Sequence, residues 1–118
     1  MIRFLSRMLL SSLVVTAASA AGSSSGPNPI QQFQYAPTGI VHIWYAVGVV
    51  TGAPACGTTN SGNEYPYTFD STTAGGKSML AGLLAASSAG LSVWAFGTGA
   101  CDLESGYETL ASFVTQPP

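Results

Sequence analysis

Positive charge is almost missing from this chain. Arg3, Arg7 and Lys77 are its three basic residues among 118, against five carboxylates and one histidine. So few cations cannot neutralise a row of phosphates, which argues against nucleic acid as a partner and disfavours an anionic membrane surface. Histidine occurs once, as His42, and cysteine twice, as Cys56 and Cys101. Two thiols and one distant imidazole fall short of a four-ligand zinc site. No metal or cofactor is implied. The apolar run Met8–Ala18 is too short for a membrane helix, which needs about 20 residues.

That run does sit in a recognisable setting. Arg3 and Arg7 precede it and Ala18-Ser19-Ala20 follows it, the arrangement of an export signal cut at small residues. Residues 1–20 are therefore expected to be a signal peptide, cleaved after Ala20 or Ala21, with a retained anchor helix as the alternative. The expected location is secreted or periplasmic, with no membrane span after cleavage. Such a form keeps 98 residues and one cation, Lys77, against Glu64, Asp70, Asp102, Glu104 and Glu108, a net charge of −4. One small domain of that size has a modest core, and exported domains of this kind are usually stapled. A disulfide between Cys56 and Cys101 is the natural reading; a metal pair or free thiols are the alternatives.

The clearest local signal is a helix within Asp70–Leu91. Asp70, Ser71, Thr72 and Thr73 offer capping oxygens, and Met79, Leu80, Leu83, Leu84 and Ala86 recur at helical spacing. Gly90 suits the left-handed position after the last turn. Ser78, Ala81, Gly82, Ala85 and Ala89 form a second face of small residues. Gly82 in mid-helix costs about 1 kcal/mol against Ala, so close approach of another backbone is expected there. The rest reads as short strands, giving a mainly β, α+β domain with one helix. Residues 21–38, rich in Ser, Gly and Pro, read as a flexible linker or N-terminal arm, mobile to about Phe33. Gly39–Thr51 is the first main strand, with Val41, Ile43 and Tyr45 on one face and His42 and Trp44 on the other. Gly48 suggests a bend. Glu64–Phe69 is a strand that Pro66 assigns to an edge. Leu91–Phe96 is a further strand, Gly97–Gly106 is a loop, and Tyr107–Thr115 is a last strand or a mixed segment.

Several motifs bear on chemistry. Ser71–Ser78, STTAGGKS, ends like a phosphate-binding loop but has Ser71 where the first glycine belongs. Gly75 and Gly76 are better explained by a helix start lying close to a sheet, with Lys77 solvated. Asp102, Glu104 and Glu108 match no calcium-loop spacing and read as a solvated acidic rim. His42 could serve a hydrolase, but no nucleophile-elbow pattern accompanies it. Beside Trp44 it reads as a binding or packing residue. Trp44, Tyr65, Tyr67, Trp94 and Tyr107 form an aromatic set suited to stacking on sugars, or to core and subunit contacts.

The ordered pattern Gly-Ile-Val, a cysteine loop, Tyr-x-Phe-Asp, Gly-Lys-Ser-Met, Leu-Leu-Ala-Ala, Ala-Gly and a second cysteine spans about Gly39 to Cys101. It resembles a family of small exported bacterial proteins and, more distantly, the B subunits of subtilase cytotoxin. That resemblance implies an OB-like barrel over residues 39–116, assembly into a homo-oligomeric ring, and binding of a cell-surface glycan, sialylated in those subunits. Thr38 stands at the sugar-touching hydroxyl position before the strand-opening glycine, whereas Gly97 stands where the toxin subunit has a tyrosine. The expected function is a secreted, non-enzymatic binding module, with Thr38, His42, Trp44 and Trp94 as candidate ligand residues. The alternative is a structural or adhesive component of an extracellular assembly.

Overall fold

Residues 22–116 are described by the computed structural model, so the expected signal segment lies outside the described residues. The strands are β1 (Ser24–Asn28), β2 (Gln32–Tyr35), β3 (Ile40–Ala46), β4 (Glu64–Asp70), β5 (Ser92–Gly97) and β6 (Glu108–Gln116); the helix is α1 (Ala74–Ser88). A single 3-10 turn at Val47–Val49 ends β3 where Gly48 suggested a bend.

The helix begins and ends as its sequence dictates. Thr73 is the N-cap, its hydroxyl oxygen accepting from the Gly76 N–H at 2.9 Å. At the other end Leu91 N–H donates to the Ala86 carbonyl and Gly90 N–H to that of Ser87, a Schellman closure with Gly90 at φ +70°. Leu83 and Ala86 are buried in the core, while Ser78, Ala81, Ala85 and Ala89 are exposed. No backbone meets Gly82; a Cβ there would lie 3.1 Å from the Phe113 ring of β6, so an aromatic edge, not a main chain, fills that space. Gly76 is the glycine that admits the sheet, since a Cβ would fall 1.7 Å from the Asp70 carbonyl oxygen.

The sheet runs in the order β1-β5-β6-β4-β3-β2, antiparallel except for β4 beside β6. β1 and β2 are its two ends, yet only residues 29–31 separate them. Four residue steps reach at most roughly 14 Å, whereas six flat strands would set the ends about 24 Å apart. The sheet must therefore curl until its ends meet. Ser24 and Thr51 complete the closure by exchanging two backbone hydrogen bonds of 2.9 Å. Inside lie Val41, Ile43 and Tyr45 from β3, Tyr65, Tyr67 and Phe69 from β4, Val93 and Ala95 from β5, and Leu110 from β6, covered by Leu83 and Ala86 of α1.

Two expectations change. Residues 22–38 are not a loose linker: β1 pairs with β5, β2 with β3, and Ser23 and Ser25 are among the most buried residues. β4 is an interior strand, not an edge. Pro66 is tolerated because β6 pairs with β4 at Tyr67 and Thr68, beyond the proline, so its missing N–H breaks no rung of that ladder.

Candidate functional site

Strand alternation sends His42 and Trp44 to the outer face of β3, where a barrel residue would ordinarily meet water. Both are nevertheless buried, at 5% and 4% exposure. Register places Thr68 and Gln34 on either side of His42, and Pro66 and Gln32 on either side of Trp44. The cover comes from the loop of residues 98–107. Tyr107 packs its ring 4.8 Å from that of His42 and stands edge-on to Trp44 at 6.5 Å. Glu104 Oε2 lies 2.5 Å from His42 Nε2. The loop is pinned by a bridge between Glu104 and Tyr107, by the Thr59 N–H donating to the Gly106 carbonyl at 2.9 Å, and by the Cys56–Cys101 disulfide, whose Cα atoms are 6.1 Å apart.

Within this packed group two polar atoms have no hydrogen-bond partner: His42 Nδ1 and Trp44 Nε1. Buried polar groups are satisfied in the large majority of cases, so an adjacent pair without partners marks the place. Nε2 faces a carboxylate that accepts only, and therefore carries the ring proton. Nδ1 of the same ring and the indole N–H of Trp44 are the two groups left over.

The other candidates lie elsewhere. Thr38 is exposed on the turn between β2 and β3, its Oγ1 3.5 Å from the Ile40 N–H. Trp94 is on β5, separated from β3 by β6 and β4; it stacks on Phe96 at 5.4 Å and donates to Ser24 Oγ at 2.5 Å. Tyr65 and Tyr67 belong to the core. Their hydroxyls, and that of Tyr45, are held above the ordinary tyrosine range, chiefly by burial.

The acidic rim does not form as a unit. Asp102 is exposed and Glu104 pairs with His42, but Glu108 is fully buried. Its Oε2 accepts from the backbone N–H groups of Ser23 and Gly99, each at 3.0 Å. Its Oε1 accepts from Tyr65 OH at 2.9 Å and from Ser23 Oγ, which in turn takes a hydrogen bond from Tyr67 OH at 2.6 Å. Among the described residues no three or more of His, Cys, Asp and Glu gather as metal ligands, and no helix is long and apolar enough to cross a membrane.

No protein-family model matches the chain, and neither a curated protein nor a solved structure gives a match. The likeness to toxin B subunits therefore rests on the residue pattern alone.

Proposed function

We propose that the chain is an exported recognition module that binds a glycan on the outer face of β3, at His42, Trp44 and Tyr107. The observation that carries this reading is the pair of buried, unpartnered atoms, His42 Nδ1 and Trp44 Nε1, set among aromatic rings. Saccharides offer what such a place needs: hydroxyls that both donate and accept, and C–H faces that stack on aromatic rings. In a nucleophilic hydrolase the second imidazole nitrogen would face a serine or cysteine; here it faces neither.

Topology gives independent support. β1 and β2 read as the two halves of one bent first strand, followed by β3, β4, the helix, β5 and β6, with β4 parallel to β6. We take this as an OB-like barrel. Barrels of that kind bind oligosaccharides on the face of their second and third strands and on the neighbouring loops, here β3, β4, the Thr38 turn and the 98–107 loop. A ligand reaching the two nitrogens must move that loop aside.

Trp44→Phe tests the reading, because it keeps a ring and removes the N–H. On an array of immobilised glycans the parent protein is expected to bind a defined subset, and the variant to bind it about tenfold or more weakly. Stability should fall by about 1–2 kcal/mol, the cost of a smaller ring at a buried position, with no buried group left newly unpartnered. Unaltered binding by the variant would refute this site.

Assembly is part of the same proposal. The exposed, uncharged face of α1 (Ser78, Ala81, Ala85 and Ala89) and half-exposed Leu84 beside it suit contact with a second copy. Light scattering at micromolar concentration is expected to give a discrete homo-oligomer, a ring by the toxin resemblance; a monomer contradicts it.

A further inference from the structure

We infer that residues 103–107 form a hinged strap over the β3 face, latched by Glu104, and that the strap opens while the rest of the barrel stays folded. This rests on the recognition reading above for its purpose and deepens it by naming the way in.

Something must move to admit a ligand, because His42 Nδ1 and Trp44 Nε1 are shut away from solvent. The sides of the face are ladders. β2 and β4 pair with β3 along their whole lengths, so parting either would break a run of backbone bonds. The covering loop is held unequally. In its first half Thr98 N–H donates to the Thr109 carbonyl at 2.8 Å and Thr109 N–H to that of Ala100 at 2.9 Å. Gly99 N–H reaches Glu108, Asp102 N–H reaches Thr109 Oγ1, and Cys101 carries the disulfide. Residues 103–106 have two hydrogen bonds to other elements: Glu104 with His42, and the Thr59 N–H to the Gly106 carbonyl. Leu103 and Ser105 are exposed, so little buried apolar surface holds this segment. A stretch with few such ties opens at lower cost than its surroundings.

The same stretch can swing as one piece. Tyr107 N–H donates to the Glu104 carbonyl at 3.2 Å and closes a turn over residues 104–107. Gly106, at φ +87°, stands in its third place, where a left-handed backbone is called for. That internal bond survives a swing. Asp102 on one side stays tied to Thr109, and Glu108 on the other stays fixed by its buried donors. Movement between these ends breaks the Glu104–His42 and Thr59–Gly106 bonds and lifts the Tyr107 ring off His42 and Trp44. The disulfide lies outside the moving part and remains closed. The Glu104 latch works with either charge on the imidazole, since a proton on Nε2 donates in both forms.

Hydrogen exchange of the Trp44 indole N–H, followed by NMR on the full exported chain without ligand, reads the opening. This proton has no acceptor in the protein and exchanges when solvent reaches it. Glu104→Ala is expected to speed the exchange roughly tenfold, through loss of one side-chain hydrogen bond. The backbone amides of β3 and β4 should keep their parent rates, as should the Trp94 indole, which is bonded to Ser24 on another part of the barrel. An unchanged Trp44 rate overturns the strap. Equal acceleration of the β3 and β4 amides also overturns it, because the whole barrel would then be opening. With a glycan that the parent protein binds, Glu104→Ala should associate several-fold faster, since more of the protein stands open; equal or slower association counts against the strap alone. Absence of binding to every saccharide removes the recognition reading, and the ligand-free exchange rates still decide whether the strap opens.

Discussion

Glu108→Gln is expected to destabilise the fold by about 3 kcal/mol, a large share of the 5–15 kcal/mol that a small domain possesses. The buried carboxylate is a pure acceptor ringed by four donors: two backbone N–H groups, one tyrosine hydroxyl and one serine hydroxyl. Glutamine has the same shape but replaces one oxygen by an NH2 group. Turned toward the backbone, that group meets two N–H donors; turned toward the hydroxyls it can donate to their oxygens, but the Tyr65 and Ser23 protons then lose the carboxylate oxygen that accepted them. No relaxation is open on the far side, because a Cβ at Gly97 would already fall 1.9 Å from Glu108 Oε2. Urea unfolding followed by tryptophan fluorescence measures the loss. A change below about 1 kcal/mol would mean that water serves these donors, contrary to the full burial of the side chain. The damage should be concentrated at β1 and the 98–107 loop, since Ser23 and Gly99 are what the carboxylate holds.

That same carboxylate explains why part of the fold was illegible in the sequence. A helix announces itself locally: Thr73, the apolar spacing and Gly90 all act within a few residues of the bonds they make. Strand alternation on β3 is equally local, and Val41, Ile43 and Tyr45 do face the core. β1 is different. Ser-Gly-Pro composition reads as linker because no side chain in it can bury much apolar area. Its place in the barrel comes from the hydroxyl and N–H of Ser23, which serve an acid 85 positions away. Glu108 misleads in the complementary way, since a lone acid ordinarily stays in water and nothing near it in sequence supplies its donors. Pro66 obeyed its rule at a finer grain than the whole strand: it stands opposite Trp44 of β3 but where β6 does not pair, while β4 itself is interior. At the candidate site His42 and Trp44 were visible as neighbours on one strand face. That this outer face is covered was not, because the cover comes from Glu104 and Tyr107, the first of them 62 positions beyond His42.

The cover depends on the disulfide, and its removal is the second large effect. Replacing both Cys56 and Cys101 by serine should cost about 4 kcal/mol, the chain entropy released when residues 45 positions apart are no longer joined. For a domain of this size that lowers the thermal midpoint by about 20 °C. The effect should show most in the second half of the loop, which has few other ties. Cys56 lies in an irregular stretch between the 3-10 turn and β4, and Cys101 in the 98–107 loop. Besides the sulfurs, the first half of the loop is tied to Glu108 and Thr109 through Thr98, Gly99, Ala100 and Asp102, while its second half is held by the Thr59–Gly106 hydrogen bond, Tyr107 packing and the His42–Glu104 contact. In the double variant, where it remains folded in the cold, those weaker ties should fail intermittently. Trp44 then meets water, so its emission should shift to the red before the main unfolding transition. Scanning calorimetry and fluorescence on the parent and double variant, both without reductant, provide the comparison. A midpoint lowered by less than about 5 °C, with unchanged emission, would show that packing of Tyr107 and Glu104 against β3 suffices to hold the loop. The sulfur link would then be incidental to the cover over His42 and Trp44.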